Sequence, residues 1–355
     1  MKLLFLNTNI GYGGASKMLV WVANQCANVG HNVTLLTYRD SSNHQILHEK
    51  VKHLHHQLED INGKGNVFAS ICWLHKYIKK EKFNLAIAFL SPSQLRLFFA
   101  CLGTNTKTLF SQRGDPYSNF TGLKVEIINR LNNWTFTHAD KLVFQTDQAM
   151  RYYGSSIQHK SVVIPNPIKP LIRNKVRDGF IDKRIVHIGR LDIFQKRQDL
   201  LIDAFKGICK NYPDFVLEFY GDGSDENKLR NLAADCPQIR FMGKTSNVAE
   251  VIQDAAIFVL SSDFEGIPNA LLEAMSLGLP CISTDCSPGG AALLIKNKKN
   301  GMLTKRGDKD DLANAIRYFL DNPQISEEMG KEAQKVTDTF SEDKIKKLWL
   351  NIIEH

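Results

Sequence analysis

The sequence predicts an α/β protein made of two doubly wound domains, and three observations lead there. Short apolar runs of strand character alternate with amphipathic helical stretches, first over residues 1–165 and again over 181–340, as in successive parallel βαβ units. Gly-bearing loops follow several of these runs, at the strand ends where open α/β sheets receive ligands. The chain has 355 residues, more than one ordinary α/β core accommodates.

Bulk properties narrow the function classes. No apolar run approaches the roughly 20 residues that span a bilayer. The start, Met1 to Asn7, lacks the length and cleavage site of a signal peptide, so a cytoplasmic location is expected. Seven Cys without a Cys-x-x-Cys pair fit reduced thiols. Charge is unevenly divided: residues 1–160 hold 18 Lys+Arg against 9 Asp+Glu, and the remainder 27 against 28, so the whole excess of the +8 net charge lies in the first half. A basic half points to an anionic partner: nucleic acid, a membrane surface or a phosphorylated acceptor.

Taken in order, Leu3 to Asn7 reads as a strand, Thr8 to Gly14 as a loop, and Ala15 to Val29 as a helix ended by Gly30. Gly11-Tyr12-Gly13-Gly14-Ala15-Ser16 is close to the dinucleotide fingerprint without matching it, which disfavours a nicotinamide site. Gly13 and Gly14 let the backbone approach a diphosphate or an acceptor instead. His44, His48, His53, His55 and His56 crowd one region, which reads as a solvated polar segment because no acidic or Cys partner has matching metal spacing. Val67, Ile71, Leu74 and Ile78 form a core-facing stripe; Trp73, Lys76, Tyr77 and Lys80 share the other face, a candidate for contact with anionic headgroups. Strands are expected at Leu85 to Leu90 and Thr108 to Ser111. The loop after the second carries Arg113 and Asp115, candidates for contact with an acceptor or a donor sugar. A helix from about Gly122 to Thr137 and strands within 139–146 and 162–168 complete the first domain, with residues 166–180 as linker.

The second alternation has strands at 184–187, 215–220, 239–242, 257–260 and 280–283, with helices near 199–210, 226–234, 248–254 and 269–277. Gly189-Arg190-Leu191 follows its first strand and Lys196 comes six residues later, two cations suited to a leaving diphosphate. After the strand Ile257 to Leu260, the loop through Glu265 enters a helix carrying Glu273. The amides of Gly266, Ile267 and Asn269, beside Pro268, suit an anion, while the carboxylates accept hydrogen bonds from hydroxyls. Phosphate beside polyol is the chemical profile of a sugar nucleotide. Asp222 and Asp225 lie in a βα loop and read as a turn and helix cap. The last helix, 341–355, is expected to cross back to the first domain.

Gly13-Gly14, Ala139-Asp140-Lys141, Val163-Ile164-Pro165-Asn166, Gly189-Arg190-Leu191 with Lys196, Gly221-Asp222-Gly223, and Glu265 with Glu273, in that order, resemble the retaining glycosyltransferases of family 4. The resemblance covers nearly the whole chain. It implies the GT-B fold, two Rossmann-like domains facing a central cleft, with the nucleotide held mainly by the C-terminal domain and the acceptor by the N-terminal one. It also implies metal-independent retaining transfer from a nucleotide sugar, with no cofactor, and acceptors of the glycan or polyprenyl-diphosphate-linked kind on the inner membrane face. Arg190 and Lys196 would grip the diphosphate, Glu273 would accept from the ribose, and Glu265 would orient the sugar; a uridine diphosphate donor is the expectation. Two departures stand out: Gln112-Arg113-Gly114-Asp115 replaces a His that relatives often carry, and Ala292 stands where many have Glu. A nicotinamide oxidoreductase and a basic nucleic-acid-binding protein are the alternatives. The first is weakened by the Gly pattern, and the second by aromatics that form no base-stacking surface.

Overall fold

The computed structural model describes residues 1–11, 13–39, 45–57, 65–117, 123–171, 182–245 and 247–355. They divide into two compact units. The first comprises Met1–Gly114, Asn119–Asn166 and Asp343–His355; the second comprises Asp115–Ser118 and Pro167–Glu342. Most of the expected linker, residues 172–180, lies outside the described residues.

In the first unit, strands β1 (Lys2–Asn7), β2 (Asn32–Thr37), β3 (Val51–His55), β4 (Leu85–Ala88), β5 (Lys107–Ser111), β6 (Lys141–Phe144) and β7 (Ser161–Val163) alternate with helices α1 (Gly14–Asn28), α2 (Val67–Glu81), α3 (Ser91–Cys101), α4 (Leu123–His138), α5 (Asp147–Arg151) and α6 (Ser155–Gln158). The sheet is parallel, in the order β3-β2-β1-β4-β5-β6-β7. Its strands are apolar on both faces because both are covered. Leu3 and Phe5 face one buried cluster with Leu19 of α1, while Leu4 and Leu6 face the other with Leu74, Leu97 and Phe136.

The second unit holds β8 (Arg184–Ile188), α7 (Ile193–Lys196), α8 (Gln198–Lys206), β9 (Val216–Tyr220), α9 (Glu226–Leu232), β10 (Ile239–Gly243), α10 (Val248–Ile252), β11 (Ile257–Leu260), α11 (Asn269–Ser276), β12 (Cys281–Thr284), α12 (Gly290–Leu294), β13 (Met302–Thr304), α13 (Lys309–Asp321), α14 (Pro323–Ala333) and α15 (Val336–Thr339). Its sheet is also parallel, in the order β10-β9-β8-β11-β12-β13. Ile185 and Val186 enter opposite buried clusters, again two covered faces. The order reverses between β8 and β11, which makes the loops after these two strands the topological switch point. The final helix, α16 (Glu342–Glu354), sends Ile345, Trp349, Ile352 and Ile353 into the core of the first unit.

Two readings of the sequence change here. The His-rich stretch is only partly solvated: His53, half-buried, and His55, exposed, lie on β3, the edge strand, registered on β2 with Val33 opposite Val51. Their rings meet the Thr37 hydroxyl at 3.0 and 3.2 Å, and burial followed by the charge of His55 lowers the pKa of His53. His44 lies outside the described residues. Second, Trp73 and Tyr77 do not form an outer aromatic face on α2. Trp73 stacks between His56 (3.8 Å) and Tyr77 (5.4 Å), and Tyr77 packs in turn on Phe83. The sheet edge claims these rings because their burial outweighs their exposure beside Lys76 and Lys80, which remain exposed. Of the expected core-facing stripe, Leu74 and Ile78 are buried and Ile71 is half-buried, but Val67, in the first turn of the helix, is exposed, as is Phe68 beside it.

Candidate active site

Two loops build the site, both at the switch point of the second sheet. The loop after β8 runs through Gly189 and Arg190 into α7, whose start is capped by Asp192 accepting from the Gln195 amide at 3.2 Å. The loop after β11 runs from Ser261 to Pro268 and opens α11 at Asn269.

Contacts lace one loop to the other. The Asp263 amide donates to the Gln195 carbonyl at 2.9 Å, Gln195 Nε2 to the Phe264 carbonyl at 3.1 Å, and Ser261 Oγ to the Lys196 carbonyl at 2.8 Å. Arg197 takes a left-handed conformation (φ 50°) and is held by Asp199 and, at 3.0 Å, by Asp263. At the centre the Lys196 ammonium forms an ion pair with Glu265 Oε1, which also accepts from Ser262 Oγ at 3.0 Å. Both partners are largely buried, with 17% and 11% of their side-chain surfaces exposed, so their Coulomb interaction is only weakly screened. The Glu265 charge, second to burial, helps push the buried Cys286 thiol up to about 12.

Arg190 lies at the rim, exposed, with its Nη2 2.7 Å from Asp192 and 3.1 Å from the Gln195 side chain. Ile267 and Pro268 are buried, Gly266 and Glu273 half-buried, and Asn269 exposed at the head of α11, whose first amides have no intrahelical acceptor. Gly189 and Gly221 touch: a β-carbon on Gly221, whose φ is +141°, would stand 2.0 Å from the Gly189 carbonyl oxygen. The β8 loop can adopt its path only because residue 221 has no side chain.

The structure thus brings Gly189, Arg190, Lys196, Glu265, Gly266, Ile267, Pro268, Asn269 and Glu273 to one end of one sheet. Gly13 and Gly14 belong to the first unit, where Gly13, extended (φ −64°, ψ 142°), precedes α1. Arg113, also in the first unit, is engaged in its interior. Its guanidinium covers the rings of Phe89 (4.7 Å) and Trp349 (5.4 Å), donates to Asn166 Oδ1 at 2.9 Å, and is pulled down to about 9 by burial. Asp115 accepts from the Tyr117 amide at 2.9 Å. Asp225 does not cap α9 with its side chain, as expected from sequence; it accepts from the Ile193 amide at 3.0 Å and pairs with Lys228. Asp222 pairs with Lys244. Among the described residues no group of three His, Cys, Asp or Glu is placed to hold a metal ion.

Sequence reasoning passed over Ser262, Asp263, His187 and Gln198. His187 is fully buried beneath the β8 loop, its Nδ1 3.0 Å from the Val259 carbonyl; burial, then the Lys196 charge, lowers its pKa to about 3.

Comparison with known proteins agrees with this fold. Residues 12–170 match the model of Glycosyltransferase Family 4 and residues 171–336 that of Glycosyl transferases group 1. An uncharacterized glycosyltransferase of Haemophilus influenzae is 26% identical over 359 residues, covering 99% of each chain. The Campylobacter jejuni GalNAc-alpha-(1->4)-GalNAc-alpha-(1->3)-diNAcBac-PP-undecaprenol alpha-1,4-N-acetyl-D-galactosaminyltransferase is 25% identical over 369 residues, covering 99% of this chain and 98% of that one. Among solved structures, Anabaena HepE in complex with UDP has a TM-score of 0.80 at 18% identity, with both chains wholly covered. The sucrose-phosphate synthase of Thermosynechococcus elongatus reaches 0.84 at 18% identity, covering 99% of this chain and 98% of that one. The matched segments run on from residue 12 to residue 336, and the chain belongs to the family 4, group 1 glycosyltransferases of the GT-B fold.

Proposed function

We propose that the protein transfers a hexose or N-acetylhexosamine from a UDP-sugar to a glycan or polyprenyl-diphosphate-linked acceptor in surface polysaccharide synthesis, with retention at the anomeric carbon and without a metal ion. The observation that carries this reading is the Lys196–Glu265 pair beside Arg190 at the switch point: two cations for a diphosphate and a carboxylate for hydroxyls within one pair of loops. Relatives support the donor and acceptor classes, since HepE was solved with UDP and the Campylobacter enzyme is named for an undecaprenol-linked substrate.

In this reading Arg190 and Lys196 bind the diphosphate, the head of α11 adds its amides, Glu273 accepts from the ribose, and Glu265 accepts from hydroxyls of the donor sugar. The anomeric C–O bond breaks toward the diphosphate, whose departing oxygen takes the proton of the acceptor hydroxyl as the acceptor oxygen bonds to the same face of the sugar. Arg190, Lys196 and the amides offset the charge that develops on the leaving group. Glu265, paired with Lys196 and Ser262, orients and does not attack. Work on a lipid-linked acceptor also implies a membrane-bound workplace, although among the described residues no helix is long and apolar enough to cross a bilayer. With Trp73 and Tyr77 packed inward, the side chains offered to a bilayer are the exposed Phe68, Ile127, Ile128 and Trp134, together with Lys76 and Lys80.

The test is a hydrolysis screen of the purified protein against a panel of nucleotide sugars, then one nuclear magnetic resonance spectrum of the product. Turnover of a UDP-sugar with the donor's anomeric configuration kept is the expected result; an inverted product, or activity abolished by chelators, overturns the mechanism.

A further inference from the structure

Beneath the β8 loop, a chain of hydrogen bonds runs from the sheet to the rim of the site through two fully buried, uncharged side chains. His187 Nδ1–H donates to the Val259 carbonyl on the neighbouring strand at 3.0 Å, which leaves Nε2 as an acceptor. Gln198, the first residue of α8, places its Nε2 3.4 Å from that nitrogen, and the same amide donates to the Arg190 carbonyl at 2.8 Å. Gln198 Oε1 accepts from the Asp192 amide at 3.3 Å, and the Asp192 carboxylate holds the Arg190 guanidinium at 2.7 Å. Lys196 enters from the other side. A β-carbon on Gly189 would lie 3.4 Å from His187 Nε2 and 3.6 Å from Lys196 Cε, so the imidazole and the lysine stem border the same position of the loop.

Every polar atom of the Gln198 amide is used, and two of its three contacts hold the 189–192 loop, at the Arg190 carbonyl and at the Asp192 amide. A surface loop carrying an exposed arginine gains little order from its own rim contacts, because an exposed pair is weak. The buried amide supplies that order from below.

We propose that His187 and Gln198 are positioning residues: an uncharged buried pair that presets the Arg190 guanidinium and the Lys196 ammonium for the anionic part of the donor. This rests on the reading of Arg190 and Lys196 as diphosphate ligands. His187 and Gln198 are both fully buried beneath the loop, so both act through it.

A double-mutant cycle with UDP as the probe tests it. Gln198→Met fills the volume and removes the hydrogen bonds; it is expected to weaken UDP binding about tenfold in the wild-type background, on the scale of one lost support. In the Arg190→Ala background the loss should be smaller, about twofold, since of the two cations only Lys196 is left to position. Equal losses in both backgrounds, or no loss in either, overturn the proposal. Should Gln198→Met fail to fold, Gln198→Glu keeps size and acceptor while deleting the donor to the Arg190 carbonyl, and the same outcomes apply. The Arg190 Nε–H resonance of the ligand-free protein, assigned by its loss in Arg190→Ala, gives a readout that needs no ligand. It should sit away from the free-arginine position in the wild type and collapse to it in the Gln198 variant. A wild type that binds no UDP defeats the diphosphate reading alone, whereas an unmoved resonance defeats the positioning.

Discussion

Gly290 lies against Gly266 with no room for a side chain: a β-carbon on residue 290 would stand 1.7 Å from the Gly266 carbonyl oxygen and 3.1 Å from that of Glu265. The contact is backbone to backbone, so no rotamer change relieves it. Together with the 2.7 Å bond from the Glu265 amide to the Ser287 carbonyl, it fixes the loop that carries Glu265. Gly290→Ala should therefore displace that loop and lower turnover by about 10²-fold, the usual effect of a misplacement near 1 Å. Gly154→Ala, where a β-carbon meets nothing within 4 Å, should leave turnover unchanged. Wild-type rates in the Gly290 variant would show that the loop tolerates the shift.

The Lys196–Glu265 pair separates stability from activity. Removing one partner leaves a mostly desolvated charge, so Lys196→Met and Glu265→Leu should each destabilise by about 2–3 kcal/mol, less than for a fully buried pair because 17% and 11% of the two side chains remain exposed. The double variant should recover most of that stability, since no lone charge is left, yet stay about 10²-fold or more below wild-type turnover. Denaturant unfolding and a donor hydrolysis assay read the two quantities. A double variant as unstable as the sum of the singles would contradict the argument.

Much of the fold was legible because burial on both sheet faces writes itself as short apolar runs. Ile257 to Leu260 is a strand with those same limits, and α16 shows its core residues at helical spacing. Strand β3 was not legible: as an edge strand it has three imidazoles within or just after it and little apolar periodicity, and its assignment comes from pairing with β2. Trp73 and Tyr77 carried the right helical spacing but no sign of which face the sheet edge would take. At the candidate site, the shared placement of Arg190, Lys196 and Glu265 at one end of the sheet could be read from residue type and position after a strand. Their supports could not, because Gln195 to Phe264 and Lys196 to Glu265 are contacts across 69 positions of sequence. Ser262 and Gln198 acquire meaning only from those distances.

Arg113 and Trp349 offer a contrast within the first unit. The guanidinium rests on Phe89 and Trp349, and among the described residues no carboxylate pairs with it, so its charge adds little beyond a cation–π contact of about 1–2 kcal/mol. Arg113→Met should cost about 1 kcal/mol or less and keep turnover within about threefold, because a neutral chain fills the same slot without desolvating a charge. Trp349→Ala empties a fully buried position of the core and should cost about 3–5 kcal/mol. If Arg113→Met instead lowers turnover by about 10²-fold at unchanged stability, the arginine contacts the sugar after all.

His187 makes the second unit acid-sensitive. Burial, followed by the Lys196 charge, lowers its folded pKa to about 3, whereas an unfolded histidine titrates near its ordinary 6.5. Between these values the unfolded chain binds a proton that the folded protein refuses, so unfolding takes up protons and stability rises with pH. The stabilisation is present above about pH 6.5 and is lost as pH falls toward 3. From pH 7 to pH 5 this one group should remove about 2 kcal/mol. His187→Phe keeps a ring in the slot and cannot titrate, so its unfolding free energy, though lower at pH 7, should fall by about 2 kcal/mol less than that of the wild type over the same interval. Parallel pH profiles for the two proteins would mean that the imidazole is protonated in place, and the uncharged floor beneath Gly189 and Lys196 would have to be abandoned.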